Sequence, residues 1–344
     1  MFCALIMAGG KGTRFWPKST EEMPKQFLKL IDERTMIQLT YDRLLKTIPA
    51  ERIFVVAGER YKELVKEQLA SLPERNIIIE PEGRNTAPCI LLACSYIKQI
   101  YEDATIAVLP SDHAIKNGEE FCDILNTAKD YVENKNKQAI VTIGITPNRP
   151  ETGYGYIKFE KKDGEVIKVE RFVEKPNLET AKEYLSQGGY LWNAGMFIFD
   201  AGNMLNELEQ NYSSYEILNN LPKIESSNYK EQLDKLYPKC ESISIDYAVM
   251  EKSKNIYVIP GDFGWDDIGT WNSLERYKEK DESDNILNGN IKNYNSKNNI
   301  IYAGDKKVIL LDAENIFCID TDEVLVIGNK DSISKVHELR TIEK

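Results

Sequence analysis

The feature that most constrains the fold is an alternation of short apolar runs with longer amphipathic stretches. The apolar runs are Cys3–Met7, Ile53–Ala57, Ile77–Ile79, Thr105–Leu109 and Ala139–Ile143. Each has the length of a buried strand, and the stretches between them are long enough for helices. In one of these stretches, residues recur on one face at spacings of three and four: Tyr61, Leu64, Val65, Gln68 and Leu69. Strands that alternate with helices predict a parallel sheet covered on both faces.

A glycine-rich loop follows the first apolar run, at the strand end where such sheets bind ligands. Glycines at 9, 10 and 12 allow positive φ and bring bare N–H groups close to a ligand. Thr13, Arg14 and the later Lys25 add a hydroxyl and two cations, the donors that an oligophosphate needs. The loop therefore predicts a phosphate site, and a tight turn without a ligand is the alternative.

Two familiar glycine motifs do not fit this loop. The P-loop pattern fails because Leu5 stands where its first glycine belongs and Gly12 follows Lys11. The dinucleotide-binding pattern fails because Phe15 stands where a small residue is needed. The spacing therefore argues against a dehydrogenase.

Composition excludes several classes of protein. A formal charge of −11 argues against nucleic-acid binding, and no apolar run approaches the roughly 18 residues that span a bilayer, so we expect a cytoplasmic protein with no membrane partner. Two histidines, His113 and His337, exclude a multi-histidine metal cage. Six cysteines without a C-x-x-C pair are expected to be reduced core residues.

The pattern changes after residue 150. Alternating apolar residues on both sides of a turn at residues 161–164 predict a hairpin, and three later segments are predicted to be helical: Ala181–Leu185, Met204–Leu208 and Tyr229–Leu236. From about Asp284 short strands such as Val308–Leu311, Ile316–Ile319 and Val324–Ile327 are separated by turns. We predict a main domain over residues 1–283 and a small β unit over 284–344, for which a few coils of a parallel β-helix are one candidate structure.

Two aspartates follow apolar or glycine-rich segments about 150 residues apart. Asp112 comes after the fourth apolar run, and Asp267 lies in Gly264–Gly269. Mg²⁺ prefers hard oxygen ligands and commonly takes one or two carboxylates with substrate phosphates. The pair is a candidate site for one divalent ion, although each aspartate alone could cap a helix or form a turn.

Nine segments in order carry a family resemblance. They are Met7–Pro17, Pro24–Phe27, Gly83–Pro88, Pro110–His113, Gly153–Ile157, Glu174–Pro176, Trp192–Phe197, Ser244–Tyr247 and Gly264–Trp271. Together they resemble the mannose-1-phosphate guanylyltransferases, from residue 2 to about 271 and more weakly through the tail.

The resemblance implies a fold and a reaction. The fold is α/β, a Rossmann-like nucleotidyltransferase domain with a mixed, mainly parallel central sheet, followed by a small C-terminal β-helix-like unit. The reaction is transfer of GMP from GTP to α-D-mannose 1-phosphate, giving GDP-mannose and diphosphate with the help of Mg²⁺. Family members often self-associate, so a homodimer or higher homo-oligomer is expected.

The resemblance also implies roles for residues. Those expected to bind the nucleotide are Ala8, Gly9, Gly10, Gly12, Thr13, Arg14, Lys25, Gly83, Asn85, Thr86, Ser111 and Asp112. The catalytic set is Arg14, Lys25, Asp112 and Asp267, and the two aspartates hold the metal. Gly155, Glu174, Asn193 and Asp246 are expected to line the sugar, and Lys175 to meet its phosphate. Asp266 is an alternative to Asp267, which its place before Ile268-Gly269 favours.

Two other interpretations stay open. One is a related sugar-1-phosphate nucleotidyltransferase with another base or sugar, such as a glucose-1-phosphate thymidylyltransferase. The other is a regulatory subunit that binds a nucleotide sugar without turnover, which should have lost a phosphate-binding base or a metal aspartate. Arg14, Lys25, Asp112 and Asp267 are all present, which favours an enzyme.

Overall fold

A computed structural model describes residues 1–10, 12–159 and 164–341. The chain forms two compact units that interleave along the sequence. The first contains Met1–Gly9, Gln38–Ser111 and Ile115–Trp265, and the second contains Gly10–Ile37, Asp112–Ala114 and Asp266–Lys344. The predicted boundary between residues 283 and 284 stays a prediction.

The regular elements of the described residues are as follows. The strands are β1 (Phe2–Met7), β2 (Ile53–Gly58), β3 (Ile77–Glu80), β4 (Thr105–Pro110), β5 (Ala114–Ile115), β6 (Ile140–Ile145), β7 (Tyr156–Phe159), β8 (Ile167–Val173), β9 (Tyr190–Asp200), β10 (Ile256–Gly261), β11 (Trp265–Asp266), β12 (Ile286–Asn288), β13 (Ile291–Tyr294), β14 (Ile300–Tyr302), β15 (Val308–Leu311), β16 (Ile316–Asp320) and β17 (Leu325–Asn329). The α-helices are α1 (Met36–Leu45), α2 (Lys62–Gln68), α3 (Thr86–Ile100), α4 (Gly118–Asn134), α5 (Leu178–Gln187), α6 (Ala201–Asn211), α7 (Tyr215–Asn219), α8 (Tyr229–Leu236) and α9 (Leu274–Tyr277). Short 3₁₀ segments include Thr13–Phe15, Lys25–Phe27, Trp271–Ser273 and Lys330–Thr341, and Asp246–Met250 forms a π-helix.

A nine-stranded sheet forms the centre of the first unit, in the order β3-β2-β1-β4-β9-β6-β10-β8-β7. The five predicted apolar runs are all strands of this sheet. β3, β2, β1 and β4 pair in parallel, as do β6 and β10. The remaining pairings, which involve β9, β8 and β7, are antiparallel. The prediction of a mixed sheet is confirmed, but "mainly parallel" describes only part of it.

The antiparallel strands have a simple physical origin. The predicted hairpin forms from β7 and β8, which pair with each other, while residues 161–163 of its predicted turn lie outside the described residues. β9 is eleven residues long and pairs antiparallel with both β4 and β6, so it lies between two strands of the predicted parallel sheet. Local periodicity identifies a strand but does not give its partner or direction.

The core of the first unit lies between this sheet and its helices. Residues 3–6 of β1 and 53–57 of β2 are fully buried, as expected of strands covered on both faces. α3 is buried on all sides over residues 87–94 and again at Ile97, as expected of a helix within a core. All six cysteine thiols are free and five of them are buried, in agreement with the predicted reduced core residues. Within the described ranges no helix is long and apolar enough to cross a bilayer.

The second unit contains the predicted C-terminal β structure. β12, β14 and β16 pair in parallel with Ile286, Ile300 and Phe317 in register, and β13 pairs in parallel with β15. Parallel pairing at intervals of 14 to 17 residues is typical of β-helical coils. β17 closes the larger sheet by antiparallel pairing with β16. Buried Asn285 and Asn299 are joined by a side-chain hydrogen bond of 2.9 Å across two coils.

Candidate active site

The glycine-rich loop passes into the second unit at Gly10. Gly12 adopts φ 52°, and a Cβ at this position would lie 2.6 Å from the backbone nitrogen of Lys25. Only glycine fits there, because a side chain would meet both backbone strain and a clash. Thr13–Phe15 then form a short 3₁₀ turn that presents Arg14, which is exposed. Lys11 lies outside the described residues.

Lys25 is buried and connects the two predicted metal ligands. Its Nζ donates to Oδ2 of Asp112 at 2.9 Å and to the backbone oxygen of Asp267 at 2.6 Å. One ammonium group therefore bridges two residues that are about 150 positions apart in sequence. The electrostatics follow from this contact. Burial alone would raise the pKa of the Asp112 carboxyl, but the positive charge of Lys25 and its hydrogen bond hold that pKa below its usual value.

These residues line a single pocket of about 300 Å³ within the second unit. Its lining is Gly12, Thr13, Arg14, Lys25, Asp112, His113, Asp267 and Gly269. The structure thus brings together all four residues of the predicted catalytic set. Ala8 and Ser111, which were also expected to bind nucleotide, are buried and are not among the lining residues.

The neighbouring aspartates, Asp266 and Asp267, have different environments. Asp266 is buried, and Arg276 donates to both of its carboxylate oxygens at 2.8 and 3.1 Å, while the backbone N–H of Ile268 donates to Oδ1 at 2.8 Å. Asp267 lines the pocket instead. A Cβ on Gly269 would lie 2.7 Å from Oδ2 of Asp267, so this glycine makes room for the carboxylate.

Two lining residues, His113 and Gly269, were not assigned roles from the sequence. Burial lowers the pKa of the His113 imidazole, although Asp112 beside it opposes that effect. The ring is therefore largely uncharged at neutral pH. Its signal in the sequence was its place directly after Asp112, at the end of an apolar strand.

Residues 83–86, three of which were expected to bind the nucleotide, belong to the first unit. Asn85, at φ 69°, caps α3 by accepting from the backbone N–H of Thr86 at 2.9 Å. The Thr86 hydroxyl oxygen accepts from the N–H of Ile245 at 2.8 Å. Gly83 has open space around it. Asn85 and Thr86 therefore fix the loop at the start of α3, a structural task that the sequence did not indicate.

Glu80 is a further buried carboxylate, and no role was assigned to it from the sequence. It ends β3, and its Oε1 accepts a hydrogen bond from the Tyr237 hydroxyl. Its Oε2 would lie 2.8 Å from a Cβ on Gly9, so the first glycine of the loop leaves room for this carboxylate. Burial raises the pKa of the Glu80 carboxyl.

The five residues predicted to bind the sugar include a connected polar cluster in the first unit. Asn193 accepts at Oδ1 from the Gly195 N–H and the Thr142 hydroxyl, each at 3.1 Å. Its Nδ2 is thereby oriented to donate to Oδ1 of Asp246 at 3.1 Å. Thr142, which orients Asn193, is buried and was not predicted.

Two acidic side chains meet in this cluster. A Cβ on Gly155 would lie 2.6 Å from Oε2 of Glu174, and Glu174 forms an ion pair of 2.5 Å with Lys175. Burial, with the negative charge of Glu174 as a second cause, raises the pKa of Asp246 to about 7. The first residue of the π-helix therefore carries a carboxyl that is about half protonated at neutral pH.

This raised pKa predicts a pH-dependent stability. The folded protein retains the Asp246 proton up to about pH 7, whereas the unfolded chain loses it near the ordinary value of 3.8, so wild-type stability falls across that window. Asp246→Asn removes the titration. We expect the stability of the variant relative to the wild type to rise by about 2–4 kcal/mol between pH 4 and pH 7 and to stay constant above pH 7. Thermal melts of both proteins at pH 4.5, 6 and 8 measure this change. A stability difference that does not vary with pH would contradict the raised pKa of Asp246.

The chain is similar to known proteins in both sequence and fold. The family model described as nucleotidyl transferase matches residues 3–284. A mannose-1-phosphate guanylyltransferase of Escherichia coli is 38% identical over 348 residues, covering 97% of this chain and 74% of that protein. One of Salmonella muenchen is 39% identical, with 97% and 72% covered. A crystal structure from Thermus thermophilus, described as a mannose-1-phosphate geranyltransferase, has a TM-score of 0.88 and 32% identity, with 100% and 99% covered.

A mixed α/β sheet with a glycine loop, a buried lysine and an aspartate pair defines the class of the protein: it is a nucleotidyltransferase. The two mannose-1-phosphate guanylyltransferases, at 38 and 39% identity over 97% of the chain, identify the family within this class. The chain belongs to the mannose-1-phosphate guanylyltransferase family.

Proposed function

We propose that this protein transfers GMP from GTP to α-D-mannose 1-phosphate and releases diphosphate. The observation that carries the proposal is the pocket in which Lys25 bridges Asp112 and Asp267 beside Gly12, Thr13 and Arg14. Family membership supports the nucleotide and the sugar, because the relatives are named for them.

The proposed step is an in-line displacement at the α-phosphorus of GTP. An oxygen of the sugar phosphate forms a bond to the α-phosphorus. The bond between the α-phosphorus and the oxygen that bridges it to the β-phosphate breaks, and diphosphate leaves with that oxygen. The attacking phosphate has a second pKa near 6 and is largely ionised at neutral pH, so no general base is required. A largely uncharged His113 is consistent with this chemistry.

The reaction brings two anions together, so the pocket has to supply positive charge and hydrogen-bond donors to the phosphates. Arg14 and the N–H groups after Gly12 bind the triphosphate, and Lys25 acts on the charge that develops around the α-phosphorus. Lys25 is already held by two hydrogen bonds in the protein, so little reorganisation is needed when the substrate binds.

The donor set of the pocket fits a hard divalent cation. Asp112 and Asp267 offer carboxylate oxygens at one pocket, and the described residues contain no group of three or more His, Cys, Asp or Glu side chains that could hold a metal alone. Mg²⁺ commonly takes its remaining ligands from water and substrate phosphates. Asp112 and Asp267 would hold the ion, which supplies charge neutralisation on the phosphates when bound.

The cluster around Asn193 is the proposed sugar site. Its amide and carboxyl groups offer both donors and acceptors, which match the hydroxyl groups of a hexose. Lys175 offers a cation for the sugar phosphate, with Glu174 orienting its ammonium group. Cytoplasmic location, self-association and the lack of nucleic-acid or membrane partners remain predictions.

Diphosphate release across four nucleoside triphosphates and several hexose 1-phosphates tests the proposal. We expect turnover with GTP and mannose 1-phosphate. Removal of divalent ions with EDTA should lower the turnover rate at least about 100-fold, and excess Mg²⁺ should restore it. Unchanged turnover in EDTA would contradict the metal assignment alone.

The same substrates, tested for turnover and for binding, separate the alternatives. Turnover with another base or sugar in preference to GTP and mannose 1-phosphate would identify a related nucleotidyltransferase. Binding of nucleotide sugar without turnover for any substrate pair would identify a regulatory subunit.

A further inference from the structure

A row of three buried aromatic rings joins the phosphate-binding loop to the C-terminal β structure. The Phe15 and Trp271 ring centroids lie 5.1 Å apart, and those of Trp271 and Tyr302 also lie 5.1 Å apart. Phe15 directly follows Arg14, Trp271 lies four residues after Asp267, and Tyr302 ends β14. All three side chains are at most 1% exposed.

Trp271 also makes a directed contact with the loop. Its indole Nε1–H donates to the backbone oxygen of Trp16 at 3.0 Å, and this hydrogen bond is buried. The Nζ of Lys25 lies 6.0 Å from the Phe15 ring centroid. The aromatic row is therefore in contact with the segment that carries Arg14 and close to the lysine that bridges the two aspartates.

We propose that Trp271 is a positioning residue for the triphosphate and that Tyr302 holds Trp271 in place. This inference rests on the proposed function, because it concerns how the pocket holds GTP. A three-residue 3₁₀ turn forms few hydrogen bonds of its own and is not stable in isolation. The turn of Thr13–Phe15 must therefore be held from outside if its donors are to be fixed before the substrate binds.

The C-terminal residues contact the loop region in two further ways. Ile333 and Val336, from the last 3₁₀ segment, are buried in the same apolar cluster as Phe15 and Trp16. Arg340 forms an ion pair with Glu21 at 2.6 Å. The C-terminal β structure thus packs directly on the segment that follows the glycine loop, as part of one compact unit.

Two substitutions of Tyr302 separate the role of its ring from that of its hydroxyl. Its hydroxyl is buried and has no hydrogen-bond partner among the described residues, so the ring and not the hydroxyl is what the aromatic row uses. The Nζ of Lys18 lies 5.2 Å from the centroid of the same ring. Tyr302→Phe keeps the ring and both contacts, whereas Tyr302→Leu removes them.

The test measures equilibrium binding of GTP and of mannose 1-phosphate separately, with steady-state kinetics and thermal melts, on the full chain. Trp271→Phe loses the donor to Trp16 and is expected to weaken GTP binding about tenfold, the factor typical of one hydrogen bond, with mannose 1-phosphate binding within about twofold. Tyr302→Leu should act in the same direction, and Tyr302→Phe should match the wild type. Hydrogen exchange of the amides at residues 13–16 should be faster in Trp271→Phe.

Phe121→Leu is the control for a purely structural aromatic residue, since Phe121 is buried against Phe263 in the first unit. It should lower the melting temperature and leave GTP binding unchanged. The inference is overturned if folded Trp271→Phe binds GTP as the wild type does, or if both substrates weaken equally. If Trp271→Phe does not fold, Tyr302→Leu against Tyr302→Phe gives the same comparison. A wild-type protein that binds no GTP overturns the proposed function instead.

Discussion

Lys25→Met is expected to lower kcat by about a thousandfold, the upper range for loss of one preorganised charged donor. Lys25 is the group whose ammonium contacts both Asp112 and Asp267, so its loss removes positive charge from the place where phosphate charge develops. The substitution should lower the free energy of unfolding by only about 1–2 kcal/mol. The Asp112 side chain is 32% exposed, so water can solvate the carboxylate that loses its partner. Diphosphate release and a thermal melt measure the two effects.

Lys29→Met is the matched control. Lys29 lies four residues later in the same segment and is exposed, so the substitution removes the same charge from the same part of the chain without touching the pocket. We expect its kcat to stay within about twofold of the wild type, as for most surface substitutions. A Lys25→Met variant with wild-type kcat would contradict the catalytic role of Lys25. A variant that fails to fold while Lys29→Met folds would assign Lys25 a structural role.

The neighbouring aspartates should separate chemistry from stability. Asp267→Asn is expected to lower kcat by about 100-fold or more with a near-native melting temperature, because the pocket loses a carboxylate charge. Asp266→Asn is expected to keep kcat within a few-fold but to cost about 1–3 kcal/mol, because the carboxylate charge paired with Arg276 is lost from a buried site. Kinetics at saturating Mg²⁺ and denaturant unfolding of both variants measure the contrast.

The two variants differ by one position and carry the same chemical change, so each is the control of the other. If Asp266→Asn were inactive with native stability and Asp267→Asn were active, the metal assignment would move to Asp266. Equal losses of stability in both would instead indicate that this segment has only a structural role.

Local patterns predicted the elements of this fold well. Runs such as Ile53–Ala57 and Thr105–Leu109 lie within β2 and β4, because apolar runs of this length are buried wherever they pair. The predicted strand Val308–Leu311 matches β15 residue for residue. Pairing direction was less predictable, since the position of β9 between β4 and β6 depends on contacts far apart in sequence.

The pocket was predicted in part. Gly12, Arg14, Lys25, Asp112 and Asp267 were named from the sequence, and the structure places all of them on one pocket. The roles of Thr142 and Glu80 were missed, because a buried polar side chain within or at the end of an apolar strand gives no periodic signal. Their importance follows from partners on other elements.

The sequence by itself determined the strands of an α/β sheet, the glycine-rich loop after the first strand and the set of charged groups from which a site could be built. Those properties depend on periodicity and on residue type, both of which are local. Tertiary structure alone decided that Lys25 bridges two distant aspartates, that Arg276 engages Asp266 and leaves Asp267 to the pocket, and that Trp271 connects the loop to Tyr302. The physical reason is that hydrogen bonds and ring contacts act over a few ångströms in space, whatever the separation along the chain.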